Sequence, residues 1–337
     1  MMELLFTGGT GFVGRAVLRL LMARAAQGGV DEVPRVTVLS RNPERFLASH
    51  PEFAGLAWLG FHRGDVERFG SLPHGTRFTH IVHAATDSTD AAQLTVLQRY
   101  DQIVQGTRNL LQFAAENGVL RFLLTSSGGV YGPQPPTLEC IPEDYCAMPD
   151  PLVAGNVYGV SKRAAEHLCA LYGAQFGIET VIARCFAFVG EDLPIDAHFA
   201  IGNFIRDALF ADEITVGGDG TPVRSYMDQS ELARWLLALL ERGAAGRAYN
   251  VGSDEALTIA ELAHRVRDRL APQKPVKILA RAGTDSAGRN RYLPDISRVR
   301  AELGLRNEIG LDEAIERAAA GIRARRALDG GMTARGA

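Results

Sequence analysis

The stretch that most limits what this chain can become is "ELLFTGGTGFVGRA", residues 3–16. An apolar run with the composition of a buried strand leads directly into Gly8, Gly11 and Gly14, spaced G-x-x-G-x-x-G. Residues 12–26 then carry an Ala-, Leu- and Arg-rich helical pattern. Glycines at this spacing permit a tight turn, close approach of the backbone to a pyrophosphate, and packing of the helix on its strand. The opening N–H groups of that helix, Phe12 and Val13 among them, face the phosphates together with the positive end of its dipole. The stretch predicts a dinucleotide cradle.

Strand-like and helical patterns alternate through the first half. "RVTVLS", "HIVHAA", "RFLLTSS" and "ETVIARC" read as strands, with helices over "LQRYDQIVQGTRNLLQFAAENG", ending on Gly118, and over residues 158–175. Such alternation argues for a parallel sheet covered on both faces. After about residue 186 the rhythm breaks into short segments with turns at "VGGDGTP" and "APQKP", before "SELARWLLALLERG" and "RAYNVGS" return to helix and strand. The expected fold is α/β: a Rossmann-type doubly wound parallel sheet with a smaller mixed α/β C-terminal substrate domain. Residues 1–186 and about 225–255 fall to the cofactor domain, about 187–224 and 256–325 to the substrate domain, and 326–337 to a flexible tail.

Composition excludes some partners. Lys plus Arg number 36 against 39 Asp plus Glu, with no basic stripe, which argues against nucleic acid. The best apolar run, "LARWLLALL", is short and contains Arg234, so no membrane span is expected. Cys140, Cys146, Cys169 and Cys185 lack metal-type or disulfide spacing. With no leader-like segment at the start, a cytoplasmic location is expected.

The end of the second strand bears on the choice of cofactor. An acid there would bond the adenosine ribose hydroxyls of NAD. This chain has Ser40 and Arg41, a hydroxyl and a guanidinium suited to a 2′-phosphate, which favours NADP with NAD as the alternative. Downstream, "YGVSK" sets Tyr158 and Lys162 at i and i+4 on one helical face. A lysine beside a phenol is expected to lower the phenol's pKa, fitting it to exchange a proton with a carbonyl or alcohol. Ser127, at the end of "LLTSS", can bond the same oxygen.

In this order, "TGGTGFVG", "GDV", "HAA", "GTRNLL", "TSSGGVYG", "YGVSK", "GDGTPVRSY" and "YNVGS" resemble the extended short-chain dehydrogenases/reductases, in their nucleotide-sugar epimerase/dehydratase/reductase branch. The resemblance implies that Tyr158 is the acid/base and that Lys162 is its partner, also holding the nicotinamide ribose. It implies that Ser127 holds the sugar's reacting oxygen, with Thr86 nearby on the substrate side. Asp65 and Val66 match the adenine-contacting pair, and His83, Ala84 and Ala85 the segment along the cofactor. Arg224 matches the arginine on the substrate's nucleotide phosphates, and Asn203 is a further candidate for nucleotide contact. A nucleotide-sugar substrate and a homodimer, paired through helices around 94–116 and 158–175, are also implied.

Departures from the family pattern narrow the reaction. Relatives that eliminate water across C5–C6 carry Asp-Glu just after the catalytic hydroxyl, where this chain has Gly128-Gly129. That argues against 4,6-dehydration, and likewise against decarboxylation, whose enzymes keep a glutamate. Ala187 and Ile103 replace two family asparagines. What remains is hydride chemistry at C4: an NADPH-dependent 4-ketoreductase, or a C4 epimerase with bound NAD. A non-catalytic cofactor sensor would show a broken Tyr/Lys/Ser set, and here the set is intact.

Overall fold

The computed structural model describes residues 2–86, 94–195, 197, 199–280 and 290–333. Its strands are β1 (Glu3–Thr7), β2 (Arg35–Ser40), β3 (Leu59–Arg63), β4 (His80–His83), β5 (Arg121–Ser127), β6 (Glu179–Cys185), β7 (Phe188–Val189), β8 (Ile214–Val216), β9 (Val223–Arg224), β10 (Met227–Asp228), β11 (Arg247–Val251), β12 (Leu257–Thr258), β13 (Val276–Ile278) and β14 (Arg291–Tyr292). The helices are α1 (Phe12–Gly28), α2 (Pro43–Ser49), α3 (Val96–Glu116), α4 (Val157–Phe176), α5 (Ala200–Phe210), α6 (Gln229–Arg242), α7 (Ile259–Leu270), α8 (Ser297–Leu303) and α9 (Leu311–Thr333).

The main sheet runs β3-β2-β1-β4-β5-β6-β11, with every pairing parallel. Alternation along β1 shows why both faces are apolar. Leu4 and Phe6 enter the core under α1 and α6, while Leu5 enters the core under α3 and α4. A strand with helices on both sides has no solvent face for polar residues. Strand order reverses between β1 and β4, opening a crevice at the strands' carboxyl ends where ligands of such sheets bind.

A second core gathers Phe204, Ile205, Leu262, Val266 and Ile315 from α5, α7 and α9. The short sheets β12-β9-β14 and β13-β8 belong to this C-terminal part, whereas α6 and β11 return to the main sheet. Strand β3 was not anticipated from "LGFHR", an edge segment only partly buried and so without a strong apolar signature. Helix α3 ends one residue early, capped at Asn117, with Gly118 just beyond at φ +66°. Helix α9 continues over 326–333, part of the expected tail, and residues 334–337 lie outside the described residues. Among the described residues no helix is long and apolar enough to cross a membrane.

Candidate active site

The glycine loop joins β1 to α1 at the crevice. Gly8 has φ +78°, and a Cβ there would lie 2.4 Å from the carbonyl carbon of Ala84. A Cβ on Gly14 would lie 2.3 Å from the Gly9 backbone. The chain is therefore pressed against β4 on one side and folded on itself on the other, which only glycine allows. Gly11 is the open position, with its nearest neighbour, Gly8 O, 3.5 Å from a built Cβ. The N–H groups of Phe12, Val13 and Gly14, opening α1, have no partners within the helix. These observations fit a pyrophosphate.

His83 closes this end. Its ring is held between Thr7 Oγ1 (2.8 Å) and Thr107 Oγ1 (3.1 Å), and burial, with the Lys162 charge, depresses its pKa to about 3. The imidazole is neutral and fully engaged, so it is the backbone of Ala84 and Ala85 that lines the crevice. Ser40 and Arg41 stand at the end of β2, with Ser40 Oγ accepting the Asn42 N–H at 3.3 Å. Asp65 follows β3, its N–H donating to Ser71 Oγ at 2.9 Å. The Val66 carbonyl accepts from Asn109 Nδ2 at 2.8 Å, and the Val66 side chain packs on Gly106 of α3.

The reacting cluster lies across the crevice, where β5 ends. Ser127 Oγ accepts the N–H of Gly129 at 3.1 Å, holding the turn over residues 128–131. Tyr158, in the first turn of α4, faces this turn: a Cβ on Gly129 would lie 3.4 Å from Ser127 Oγ and 3.8 Å from Tyr158 Cδ1. Lys162, one turn further on, holds its Nζ 5.9 Å from the Tyr158 ring centre. The three predicted side chains are thus brought together.

Their electrostatics differ from the sequence expectation. Lys162 does not pull Tyr158 down; burial pushes the phenol up to about 12, with Ser127 and Arg99 opposing. Part of Tyr158 is exposed, but its hydroxyl end is crowded by protein, and lost hydration of the phenolate outweighs the neighbouring charges. Lys162 spends its ammonium protons elsewhere, on Thr86 Oγ1 (2.7 Å) and the Thr125 carbonyl (2.8 Å). Burial lowers its own pKa to about 8.

Two further predicted residues come from the C-terminal part. Asn203 on α5 lines a cavity of about 330 Å³ with Thr215, Gly217 and Pro222, its amide nitrogen meeting the carbonyls of Ile195 (3.1 Å) and Ala197 (3.0 Å). Arg224 on β9 donates to the Asn290 carbonyl and to Asn290 Oδ1, both at 2.8 Å, and lies 5.9 Å from the Tyr292 ring centre.

A family model described as "NAD dependent epimerase/dehydratase family" matches residues 4–252. This chain belongs to that family. The Arabidopsis thaliana protein UDP-glucuronic acid decarboxylase 3 is 30% identical over 320 residues, covering 93% of this chain and 87% of the relative. DesIV of Streptomyces venezuelae, a dTDP-glucose 4,6-dehydratase solved with NAD and TYD bound, is 27% identical with a TM-score of 0.80, covering 97% of this chain and 98% of the other. RMD of Pseudomonas aeruginosa, solved with NADPH, shares the fold at 24% identity and a TM-score of 0.76, covering 96% and 100%.

Sequence motifs did not reveal every side chain at this family member's reacting end. Tyr292 packs on Phe186 with ring centres 4.6 Å apart, and its hydroxyl reaches the turn beside Ser127. Arg99 of α3 stands 5.9 Å from the Tyr158 ring centre. Cys185 lies close enough to Lys162 and Tyr158 to act on their charges, its thiol pushed up to about 12 by burial. The motif "RCFAFVG" located Cys185 and Phe186 in the chain, but only the packing of α4 on β6 and of Tyr292 on Phe186 gives them this setting.

Proposed function

We propose that this family member is an NADPH-dependent 4-ketoreductase acting on a nucleotide-linked (6-deoxy)-4-keto-hexose. The observation that carries the reading is the turn after Ser127. A side chain on Gly128 would meet Tyr292 Oη at 2.6 Å and Phe186 Cζ at 2.7 Å, so an acid there would have to displace both rings, and neither Gly128 nor Gly129 carries one. Elimination or decarboxylation would lack a proton carrier at that position. Despite similarity to a UDP-glucuronic acid decarboxylase along the chain, this glycine pair argues for a simpler exchange at one carbon.

When bound, the cofactor supplies hydride to C4 of the sugar. Ser127 hydrogen-bonds the ketone oxygen, and Tyr158 gives that oxygen its proton. A phenol pushed up to about 12 is protonated at neutral pH, the form a general acid requires. Lys162, held by Thr86 Oγ1 and the Thr125 carbonyl, serves the nicotinamide ribose rather than the phenol. Arg224 and Asn203 anchor the nucleotide remotely, so binding there positions the reacting carbon. Ser40 and Arg41, in place of an acid after β2, support NADP over NAD.

The family description favours a second reading, a C4 epimerase that retains NAD, because Ser127, Tyr158 and Lys162 suit both. Steady NADPH consumption by 4-keto sugar nucleotides supports reduction; turnover of a sugar nucleotide with no added cofactor supports epimerisation.

We assign the molecule to the cytoplasm, where its four free cysteines stay reduced. It forms a homodimer through α3 and α4, which expose Leu97 and Tyr100, and Leu171 and Phe176, respectively. Leu97→Glu with Leu171→Glu should sediment as a monomer; an unchanged dimer rejects this face.

A further inference from the structure

We propose that Glu166 is a positioning residue: its buried carboxylate fixes both ends of the turn that carries Ser127, Ser126 directly and Tyr131 through Arg184. The proposal rests on the roles given above to Ser127 and Tyr158, which must meet at one substrate oxygen.

Glu166 continues a row along α4. Tyr158, Lys162 and Glu166 follow one another at intervals of four residues and share a helical face. Lys162 reaches the Thr125 carbonyl of β5 at 2.8 Å, and Glu166 Oε1 accepts the Ser126 hydroxyl at 2.6 Å. Ser126 and Arg184 are direct partners in the β5–β6 pairing, so their side chains leave the same face of the sheet and converge on Glu166. Arg184 donates from Nε to Oε1 at 3.0 Å and from Nη2 to Oε2 at 2.8 Å. Each side chain of this ion pair is only 10% exposed. The remaining nitrogen, Arg184 Nη1, donates to Tyr131 Oη at 2.9 Å and to the Glu143 carbonyl at 3.0 Å. Tyr131 Oη in turn donates to Asn250 Oδ1 at 2.8 Å.

Each of these partners of Glu166 is a donor, a set that only an ionised carboxylate satisfies. A guanidinium and a carboxylate paired fork to fork fix direction as well as distance. The consequence falls at the reacting end. Ser126 immediately precedes Ser127, and Tyr131 closes the turn over residues 128–131 that Ser127 caps. A carboxylate on the same helix as Tyr158 therefore holds this segment from both sides, and the spacing between Ser127 and Tyr158 follows from it. Glu166 works through Ser126 and Arg184, so the reacting hydroxyls stay available. The bond from the Gly129 N–H occupies a lone pair of Ser127 and leaves its proton for the substrate.

Removing Arg184 would leave a buried carboxylate uncompensated, so the main test keeps the ion pair intact. Ser126→Ala frees one end of the turn and Tyr131→Phe frees the other. Rates are measured on whichever nucleotide sugar the wild type oxidises or reduces, well below each variant's own melting midpoint. A failure of 4-keto substrates then rejects the reductase reading without touching this one. Each substitution should lower kcat about tenfold through misplacement of the reacting groups, with KM and dinucleotide affinity within about twofold of wild type. Glu166→Gln, which turns amide protons against Arg184, should lower kcat about a hundredfold. A purely structural role would lower the melting midpoints and leave turnover by the folded enzyme unchanged. Wild-type kcat in either Ser126→Ala or Tyr131→Phe, or a fall in kcat matched by an equal rise in KM, overturns the proposal.

Discussion

At the cradle end of the cleft the shape is made by backbone; at the reacting end it is made by side chains from distant elements. Gly8, Gly9 and Gly14 leave no room for a Cβ, and the loop they form lies within a few residues of sequence. Ser127, Tyr158, Lys162 and Tyr292 come instead from β5, α4 and β14, and from both parts of the molecule. Backbone built from a local motif tolerates almost no substitution. A constellation of side chains allows the reaction to change while the fold is kept, so relatives of one family can run different chemistry on one scaffold.

The largest effect that can break this contrast lies in the cradle. Gly8→Val adds a branched side chain at φ +78° into the backbone of Ala84. We expect a loss of about 3 kcal/mol or more and no measurable dinucleotide binding. Calorimetry and a binding titration check it, and wild-type affinity would show that the cradle is not backbone-limited. Next comes Tyr158→Phe, which should lower kcat about a thousandfold while leaving dinucleotide affinity alone. An unchanged rate removes Tyr158 from the proton transfer.

Gly128→Asp sharpens the comparison because it places a local backbone demand inside the side-chain region. Its Cβ meets Tyr292 and Phe186, so about 1–3 kcal/mol of stability should be lost. No 4,6-elimination should appear when product is followed by NMR; a gained dehydratase activity would refute the steric argument.

A pH-dependent effect concerns His83. Folded, it titrates at about 3, against 6.5 when free. Between those values the unfolded chain binds a proton that the folded chain refuses, so stability is full above pH 6.5 and falls as the pH drops towards 3. Urea midpoints measured from pH 7 to 4 should fall less steeply for His83→Gln, and parallel slopes would count against a buried neutral ring.

The same contrast explains what could be read in advance. The parallel sheet, the glycine turn and the Tyr158–Lys162 pair all rest on local spacing, periods of two and 3.6 residues, and all were legible. Strand β3 was not, since an edge strand of mixed burial carries no such period. Neither was Tyr292, which lies 165 positions from Ser127 and is brought to it only by the β9–β14 pairing. The direction of the Tyr158 shift was also missed. Spacing shows that a lysine is near, but not that its protons go to Thr86 and Thr125.

The central claim is that the chain moves one hydride and one proton at a single sugar carbon. It is tested most directly by supplying a 4-keto sugar nucleotide with NADPH deuterated at the transferred position and examining the product by NMR. The account predicts one deuterium at C4 for each NADPH consumed. Release of carbon dioxide, or product formed without deuterium and without cofactor consumption, would contradict it.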